Sequence, residues 1–370
     1  MLNKITVAHV IRVFSYGGAE ISLKELLATE VLKENCISDL FILDHKKLGL
    51  VADVQPTVRN VYHYKITNAR FLFEYIRFLR MIATGKYNIV HMHLPVSGCM
   101  TIVAKIFCSR KTKFVYTEHS LVTFYSKLNY YLSGLTYRFN DSVIAVSDEV
   151  SSEIQKRQKP WFFKRKNPIT ILNGINTEKF FIPGRTVREK PFDLSVGLVA
   201  RFRPNKRIDR WVEVAEKIHL KNSIIKFILV GDGPDDEAIR RKVAEKNMTG
   251  IIQFPGKTND TVNAYRQIDV FLLTSDQEGL PLSLMEAMSC GCVPVVNDIG
   301  GIRQLDFKGI GLKFNNFDAE RIAEKILSYA EQPEQYFIES IKAREYVVTN
   351  CSLTKQANEI VGLYNNLLHH

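Results

Sequence analysis

Short apolar runs alternate with helical patterns along the whole chain, and this alternation restricts the possible folds more than any other feature of the sequence. It is the βαβ pattern, which is typical of doubly wound parallel sheets. Helical patterns lie between the runs, for example at residues 19–33 and 70–83. We predict strands at residues 5–11, 39–43, 58–62, 89–93, 114–117, 143–146 and 169–172 in the first half, and at residues 194–199, 227–230, 252–254, 270–274 and 293–296 in the second half.

The chain is too long for a single hydrophobic core. Cores stop growing at a smaller size than 370 residues, so we expect two domains. The segment 173–191 is rich in glycine and proline and predicts the linker between them. A last helix at residues 353–368 follows a break, and its own residues leave open on which domain it packs.

The net positive charge of the chain lies entirely in its first half. Residues 1–180 contain 25 lysines and arginines against 14 aspartates and glutamates, a net charge of +11, whereas the remaining residues contain 25 of each. This asymmetry favours two domains with different partners.

No apolar run reaches 18 residues, no signal peptide is recognisable, and the six cysteines show no zinc-binding spacing. We therefore expect a cytoplasmic protein with reduced thiols.

Two glutamates bracket the segment 278–286, whose sequence is Glu-Gly-Leu-Pro-Leu-Ser-Leu-Met-Glu. Pro281 suits the first position of a helix, where its missing N–H costs nothing. Glu278 is then expected just before the helix and Glu286 in its second turn. Such a pair can address two distant parts of one polar ligand at a helix N-terminus. A helix cap with a solvent-facing glutamate is the alternative, and the pair alone does not decide between the two.

A basic loop follows the first strand of the second half. It contains four cations within seven residues, namely Arg201, Arg203, Lys206 and Arg207. Charge-assisted hydrogen bonds from such groups suit a diphosphate, and a guanidinium can bind two oxygens at once. The alternative interpretation is a solvated loop.

Glycine-containing turns are predicted at three strand ends. Gly17 and Gly18 precede one helix, and Gly300 and Gly301 precede another, where close backbone approach and free N–H groups favour an anion. Neither these turns nor the one at Gly231 has the G-x-G-x-x-G spacing, so a nicotinamide-dependent dehydrogenase is not expected. Together with the basic loop, the turns predict a bound nucleotide diphosphate.

Three histidines, His91, His93 and His119, end predicted strands. A histidine at a strand end is usually structural, but Glu118 precedes His119, and a neutral imidazole can contact a sugar hydroxyl. His119 is therefore the functional candidate. No Asp-x-Asp pair stands where a catalytic divalent metal is expected, so the cations of the basic loop are the expected leaving-group stabilisers.

In this combination and order, the motifs resemble those of glycosyltransferase family 4, retaining enzymes of the GT-B fold that use nucleotide-sugar donors. The resemblance covers nearly the whole chain, and its most specific motif is the spaced glutamate pair with Gly-Leu-Pro inside it. The other motifs are the Gly17-Gly18 loop, His93, His119, Asn173-Gly-Ile-Asn176, the Arg201…Lys206 loop, Val230-Gly-Asp-Gly-Pro234 and Gly300-Gly301.

The resemblance implies an α/β protein of the GT-B fold, with two facing Rossmann-like domains that each contain a doubly wound parallel sheet. Residues 1–175 would form an acceptor-binding and membrane-facing domain. Residues 176–352 would form the nucleotide-sugar-binding domain. The C-terminal helix, within residues 353–370, would cross back to the first domain.

The same resemblance implies roles for the site residues. Glu278 would contact hydroxyls of the donor sugar and Glu286 the ribose hydroxyls. Arg201 and Lys206 would neutralise the diphosphate, and His119 would lie beside the transferred sugar. The donor is expected to be a nucleotide-diphosphate sugar, UDP by default and GDP as the alternative, with no other cofactor and no metal. Further contacts to it are expected from Gly17, Gly18, Gly231, Gly279, Leu280, Gly300 and Gly301.

Four positions depart from the pattern of the family. Ala200 and Arg207 stand where glycine is frequent, Asn176 where aspartate is usual, and Gln304 where glutamate is usual. None of them removes a group to which catalysis is assigned.

Residues 156–166 combine six lysines and arginines with three aromatic residues, and the helix that begins at Arg70 adds more of both. This composition suits an anionic membrane surface, where each cation contributes about 1 kcal/mol. It predicts a peripheral protein at the inner face of the cell membrane, and such a position would fit a glycan or lipid-linked acceptor, as in bacterial surface polysaccharide synthesis. A solvated loop is the alternative. Nucleic acid is not expected, because no DNA- or RNA-binding motif occurs.

Two other functions are compatible with the sequence. A nucleotide-sugar epimerase of similar build needs no separate acceptor, and a non-catalytic partner subunit binds nucleotide sugar without turnover. The presence of both glutamates together with the basic loop argues against the second.

Overall fold

The computed structural model describes residues 4–44, 48–66, 71–119, 133–134, 136–157, 167–184, 193–306 and 308–369. The chain divides into two compact units. The first unit comprises Met1–Gly174 together with Leu353–His370, and the second comprises Ile175–Ser352. Each unit is built on one parallel sheet, so the prediction of two Rossmann-like sheets is confirmed.

The sheet of the first unit has seven described strands. They are β1 (Ile5–Ile11), β2 (Cys36–Ile42), β3 (Asn60–His63), β4 (Ile89–His93), β5 (Lys113–Glu118), β6 (Ser142–Ala145) and β7 (Ile169–Thr170). Their order in the sheet is β3-β2-β1-β4-β5-β6-β7, so the chain reverses its direction of travel across the sheet between β1 and β4. Parallel sheets of this kind bind ligands at the carboxyl ends of the strands near such a reversal.

The described helices of the first unit are Gly18–Leu27, Glu30–Asn35, Val51–Val54, Phe71–Thr84, Pro95–Thr101, Asp148–Arg157 and Leu353–His369, with 3-10 turns at Gln55–Thr57, Ile102–Ile106 and Tyr137–Phe139. The single helix predicted at residues 19–33 is wrong, because two helices occupy this stretch. Thr29 separates them. Its hydroxyl accepts a hydrogen bond from the amide of Leu32 and thereby caps the second helix.

Side chains alternate between the two faces of a sheet along each strand, so the hydrophobic core of the first unit lies on both faces of its sheet. Ala8 and Val10 contribute to one face. Val7 and Ile11 contribute to the opposite face, where the C-terminal helix also packs through residues that include Tyr364. The C-terminal helix therefore belongs to the first unit, as the resemblance implied.

The sheet of the second unit has six described strands. They are β8 (Ser195–Val199), β9 (Lys226–Val230), β10 (Ile252–Gly256), β11 (Val270–Leu273), β12 (Val293–Asn297) and β13 (Leu312–Phe314), in the order β10-β9-β8-β11-β12-β13. Strand β13 was not predicted. A three-residue edge strand with a central lysine has no apolar run that would reveal it.

The described helices of the second unit are Ile208–Lys221, Asp236–Glu245, Thr261–Arg266, Leu282–Ser289, Ala319–Glu331 and Pro333–Asn350, with 3-10 turns at Pro204–Lys206 and Gly300–Gln304. The chain reverses across this sheet between β8 and β11, which are neighbours. The loops that follow these two strands therefore lie side by side at one edge of the sheet. Within the described ranges, no helix combines the length and the apolar character that crossing a membrane requires.

Candidate active site

Lys206 and Glu278 form a close ion pair at the carboxyl edge of the second sheet. Lys206 ends the turn after β8, and Glu278 lies between β11 and the helix Leu282–Ser289. The Nζ atom of Lys206 is 2.6 Å from Oε1 of Glu278. Their side chains expose only 15% and 8% of their surface, so this pair is screened from water more than a surface ion pair is.

The carboxylate of Glu278 is held in place by its neighbours. The hydroxyl of Ser275 donates a hydrogen bond of 2.6 Å to the same Oε1 atom. The side-chain amide of Asn297 in turn donates to the carbonyl of Ser275 (2.9 Å). Asn205 donates to the carbonyl of Gln277 (3.1 Å), which ties the loop after β8 to the loop after β11. These bonds fix the carboxylate before any ligand arrives.

Glu286 lies in the second turn of the helix Leu282–Ser289, as predicted, and its partner is a buried tyrosine. The hydroxyl of Tyr265 donates to Oε2 of Glu286 over 2.8 Å. Burial and the nearby Glu286 carboxylate raise the pKa of Tyr265 well above its usual value, which keeps the phenol protonated as a donor. The helix begins at Leu282, one residue after the predicted start at Pro281, which has extended backbone angles.

The turn after β12 packs directly on the backbone beside Glu278. The amide of Gly301 donates to the carbonyl of Gly279 (3.0 Å), and a Cβ atom on Gly301 would lie only 2.7 Å from that carbonyl oxygen. Gly300 has a φ of +52°, in the left-handed region that favours glycine. Leu280, the residue after Gly279, is buried. The structure therefore brings Gly279 and Gly301 together, as expected for residues of one site.

Gly231 allows the loop after β9 to pack on the start of the basic loop. A Cβ atom at this position would lie 1.8 Å from the carbonyl oxygen of Ala200, and its φ is +142°. The amide of Gly231 donates to the carbonyl of Gly256 (3.0 Å) and is therefore engaged within the protein. In this structure, Gly231 therefore allows the loop after β9 to pack against Ala200. The adjacent Arg201 is exposed, and no described residue accepts a hydrogen bond from its guanidinium.

A network of charges around Arg207 supports the same loops and was not predicted. Arg207 has left-handed backbone angles (φ 47°, ψ 49°), a conformation that favours glycine. Its guanidinium bonds to Asp209 and Asp276 over 2.8 Å each, and Arg210 bonds to the other oxygen of Asp276 over 2.6 Å. In the sequence, Arg207 is merely another basic residue. Its left-handed backbone becomes apparent only in the structure.

The predicted anion turn of the first unit is less open than expected. Gly17 caps the helix Gly18–Leu27, but its amide already donates to the carbonyl of Ser15 (2.8 Å). The carboxylate of Glu20 lies against Gly17, where a Cβ atom would be 2.2 Å from Oε2. Burial raises the pKa of Glu20. The positive end of this helix thus already faces a carboxyl group of its own first turn.

His119 follows β5 in the first unit and is half-buried there. Its Nε2 atom lies 3.3 Å from Nδ1 of His93, and burial lowers the pKa of His119 to about 4, so its imidazole is neutral at pH 7. Of the predicted basic and aromatic segment 156–166, residues 158–166 lie outside the described residues.

Comparisons with known proteins agree with this architecture. Residues 16–179 match the family model described as Glycosyltransferase Family 4, and residues 186–345 match the model described as Glycosyl transferases group 1. The chain is 25% identical over 341 residues to an N-acetyl-alpha-D-glucosaminyl L-malate synthase of Bacillus anthracis, covering 86% of this chain and 88% of that protein. It is 26% identical over 392 residues to a UDP-Gal:alpha-D-GlcNAc-diphosphoundecaprenol alpha-1,3-galactosyltransferase of Escherichia coli, covering 99% and 98%.

The fold is also that of solved structures. Anabaena Alr3699/HepE in complex with UDP superposes with a TM-score of 0.82 at 15% identity, covering 98% of this chain and 100% of that one. A sucrose-phosphate synthase from Thermosynechococcus elongatus gives a TM-score of 0.76 at 18% identity, covering 99% and 100%. The prediction of a GT-B fold is confirmed.

Proposed function

The chain belongs to the glycosyltransferases that join a family 4 N-terminal domain to a group 1 C-terminal domain, and from this premise we propose its reaction. It transfers a sugar, with retention of configuration, from a UDP-sugar to a glycan or lipid-linked acceptor in bacterial surface polysaccharide synthesis. The observation that carries the proposal is the partly buried Lys206–Glu278 pair at the switch point of the second sheet. It supplies a cation for a diphosphate and a fixed carboxylate for sugar hydroxyls in one place.

Each charged group has one role in this proposal. Lys206 and the exposed guanidinium of Arg201 stabilise the diphosphate as it leaves the anomeric carbon. Glu278 accepts hydrogen bonds from hydroxyls of the donor sugar, and Glu286 accepts them from the ribose. The acceptor hydroxyl forms the new bond to the anomeric carbon on the face that the diphosphate leaves. His119 contacts the transferred sugar.

The protein's own cations supply the positive charge at the diphosphate, so the proposed reaction is independent of a metal ion and needs no other cofactor. Charge-assisted hydrogen bonds contribute about 1.5–3 kcal/mol each, which is sufficient to make two such groups effective leaving-group stabilisers. Undiminished transfer in the presence of a chelator is the expected result, and a requirement for added Mg²⁺ or Mn²⁺ would contradict this part of the proposal.

UDP is the proposed nucleotide because one relative that spans the whole chain is named for a UDP-galactose donor and because the structure with the highest TM-score quoted above contains UDP. The lipid-linked acceptor has the same support, since that relative is named for a diphosphoundecaprenol acceptor. A GDP-sugar remains the alternative outcome of the binding test below.

The first unit supports a peripheral position at the inner face of the cell membrane. On the helix Phe71–Thr84, the side chains of Leu72, Phe73 and Ile76 are exposed, and Arg77 and Arg80 are exposed on the same helix. An apolar surface beside cations suits the interface of an anionic bilayer. Vesicles with anionic lipid should bind the protein more than neutral vesicles do, and replacing the three apolar residues with serine, or the cations of 156–166 with glutamine, should weaken this binding. Equal binding by all variants would contradict it.

A thermal-shift screen of nucleotide sugars, followed by an assay of transfer, tests the proposed function. A ligand that binds only the folded state raises the melting temperature, so UDP-sugars should raise it and GDP-sugars should not. Lys206→Ala should remove the shift, whereas Lys242→Ala, which changes a partly exposed lysine on the helix Asp236–Glu245, should keep it. Conversion of the donor alone to an epimer would establish an epimerase instead. Binding without turnover under all acceptor conditions would establish a non-catalytic subunit.

A further inference from the structure

A cavity of the second unit lies at the edge of the sheet opposite the candidate active site. It has a volume of about 440 Å³, and its lining comes from the segment that contains Phe181, from the helix Pro333–Asn350 and from the end of the helix Leu282–Ser289. The latter helix joins the parallel strands β11 and β12, so it runs antiparallel to them and ends at the amino edge of the sheet. Its eight residues span about 12 Å. The cavity is therefore separate from the Lys206–Glu278 pair at the carboxyl edge.

The walls of this cavity are largely apolar. Phe181 and Ile182 line it from one segment, and Ile341 and Val348 line it from the helix Pro333–Asn350. Ile341 and Val348 are seven residues apart, so they share one face of that helix. Both of these side chains and that of Phe181 are exposed. Cavities of about 300–1,000 Å³ with mostly apolar walls are typical of sites for small organic ligands. The size and the walls of the cavity therefore suit a ligand with an apolar body.

Arg344 supplies a positive charge to the cavity. It is half-buried, and burial lowers its pKa, but a guanidinium stays charged at pH 7. No carboxylate pairs with Arg344 in the described part of the chain. Glu345 also lines the cavity, but its side chain is exposed and is not one of the partners of Arg344 among the described residues. A charge that is partly withdrawn from water is stabilised by a counter-charge. A negatively charged ligand would supply one.

The hydrogen bonds of Arg344 leave one edge of its guanidinium available. Its Nη1 atom donates to the carbonyls of Ser289 (2.6 Å), Phe180 (3.2 Å) and Thr177 (3.4 Å). Its Nη2 atom makes only a 3.5 Å contact with the carbonyl of Thr177, and its Nε atom donates to no described residue. The Nε and Nη2 atoms form an edge that can bind both oxygens of a carboxylate through two parallel hydrogen bonds. The Nη1 atom thus anchors the guanidinium, while the Nε–Nη2 edge is free for a ligand.

The aromatic ring of Phe181 places an apolar surface directly beside this cation. The Cζ atom of Arg344 lies 4.1 Å from the centroid of the Phe181 ring, a distance at which the ring attracts the guanidinium. This contact and the bonds from Nη1 position the guanidinium before a ligand arrives, which lowers the cost of binding. Because the charge and the apolar walls adjoin each other, a complementary ligand combines a negative group with a hydrocarbon body.

We propose that this cavity is a second ligand site, which binds a small organic molecule that has a carboxylate and an apolar body. The carboxylate accepts two hydrogen bonds from the Nε–Nη2 edge of Arg344. The apolar body packs against Phe181, Ile341 and Val348. The site does not depend on the proposed function, because the residues that form it lie at the opposite edge of the sheet from the groups to which sugar transfer is assigned.

Calorimetric titration of the full-length protein with octanoate at pH 7.5 tests the proposal. Octanol has the same hydrocarbon chain without the charge, and acetate has the charge without the chain. Octanoate should bind to one site, at least about tenfold more tightly than either of the other two compounds, because only octanoate engages both the guanidinium and the apolar walls. Octanol that binds as tightly as octanoate would overturn the role of Arg344, and acetate that binds as tightly would overturn the role of the apolar walls.

Two matched variants of one helix locate the binding site. Ile341→Glu adds a negative charge to the cavity wall, leaves the bonds of Arg344 intact and should weaken octanoate binding about tenfold. Ile338→Glu makes the same change at an exposed isoleucine of the same helix that does not line the cavity, and it should leave binding unchanged. Glu345→Gln removes a negative charge from the lining and should strengthen binding. Circular dichroism checks that each variant is folded.

Lys206→Ala separates this site from the candidate active site and should bind octanoate as the wild type does. Loss of octanoate binding in folded Lys206→Ala would place the ligand at the carboxyl edge and overturn the inference. Equal affinities of Ile341→Glu and Ile338→Glu would overturn it as well. Sedimentation of the protein without octanoate tests a second copy of the chain as the occupant. A dimer that dissociates in Ile341→Glu but persists in Ile338→Glu would show that a second copy covers the cavity instead.

Discussion

The ammonium group of Lys206 lies 2.6 Å from Oε1 of Glu278, although the two residues are 72 positions apart in the chain. They meet because β8 and β11 are neighbours in the second sheet, so that the loops following them share one edge. The hydroxyl of Ser275 donates to the same carboxylate oxygen. A carboxylate fixed in this way can accept hydrogen bonds from ligand hydroxyls without reorganising first.

Replacing Glu278 with glutamine should reduce sugar transfer strongly while the fold persists. The variant keeps the shape of the side chain but leaves Lys206 without its counter-charge, so kcat/KM should fall about 10²–10³-fold. The free energy of unfolding should fall by about 2 kcal/mol, the typical contribution of a charge-assisted hydrogen bond. Steady-state kinetics and urea titration measure both quantities. Glu237→Gln, an exposed glutamate of the same unit, is the control, and a Glu278→Gln enzyme as active as this control would refute the assignment.

Replacing Arg207 with glycine should change stability far less than replacing it with alanine. A left-handed backbone costs a non-glycine residue about 1–2 kcal/mol, and glycine relieves this cost. Both variants lose the partly exposed ion pairs with Asp209 and Asp276, which contribute up to about 1 kcal/mol each. Urea titrations should therefore rank Arg207→Gly above Arg207→Ala by about 1 kcal/mol in unfolding free energy. The reverse ranking would show that the backbone angle at Arg207 carries no strain.

Introducing a side chain at Gly231 should displace the basic loop. A Cβ atom there would lie 1.8 Å from the carbonyl oxygen of Ala200, and this backbone atom cannot move without shifting Arg201. Gly231→Ala should lower the unfolding free energy by about 3 kcal/mol and weaken nucleotide-sugar binding at least about tenfold.

Gly250→Ala is the matched control for Gly231→Ala. Gly250 also has a positive φ (81°), but a Cβ atom there would meet no atom within 4 Å. Gly250→Ala should lower the unfolding free energy by about 1 kcal/mol, from backbone strain alone, and should leave nucleotide-sugar binding unchanged. Calorimetric titration with a nucleotide sugar measures the affinity of each of the two variants. Equal affinities would mean that the packing of Gly231 does not position the basic loop.

The buried histidines should make the first unit sensitive to mild acid. Burial holds the pKa of His9 at about 3 and that of His119 at about 4, and it lowers the pKa values of His91 and His93 as well. In the unfolded chain, these histidines have pKa values near 6.5. As the pH falls below 6.5, the unfolded state therefore takes up protons that the folded state does not. The stability that they contribute is therefore complete above pH 6.5 and is lost progressively toward pH 4.

Each histidine that titrates in this way lowers the unfolding free energy by about 1.4 kcal/mol per pH unit below its unfolded pKa. Urea titrations at pH 7.5, 6.5, 5.5 and 5.0 measure the slope, and the decline should begin below pH 6.5. His9→Phe removes one titrating group and should make the slope shallower by about 1.4 kcal/mol per pH unit. A flat profile between pH 6.5 and 5.0 would show that the histidines are accessible to protons in the folded state.

Much of the secondary structure could be predicted from the sequence, because buried parallel strands are continuous apolar runs. The predicted strands 5–11 and 89–93 have the bounds that the structure shows. Two errors in these predictions have local causes. Thr29 divides a continuous helical pattern by capping a second helix. The strand Leu312–Phe314 is too short and too polar to be recognised.

Local sequence patterns identify the groups that are available to the site: a carboxylate on each side of a short helix start, a cluster of cations after a strand, and histidines at strand ends. Local periodicity is sufficient for this, because it depends only on residues a few positions apart. Which of these groups meet depends on the folded arrangement of the strands and loops. Lys206 pairs with Glu278, Glu286 with Tyr265, and His93 with both His9 and His119. These contacts depend on the order of strands in a sheet and on the packing of side chains, and no local pattern in the chain contains that information.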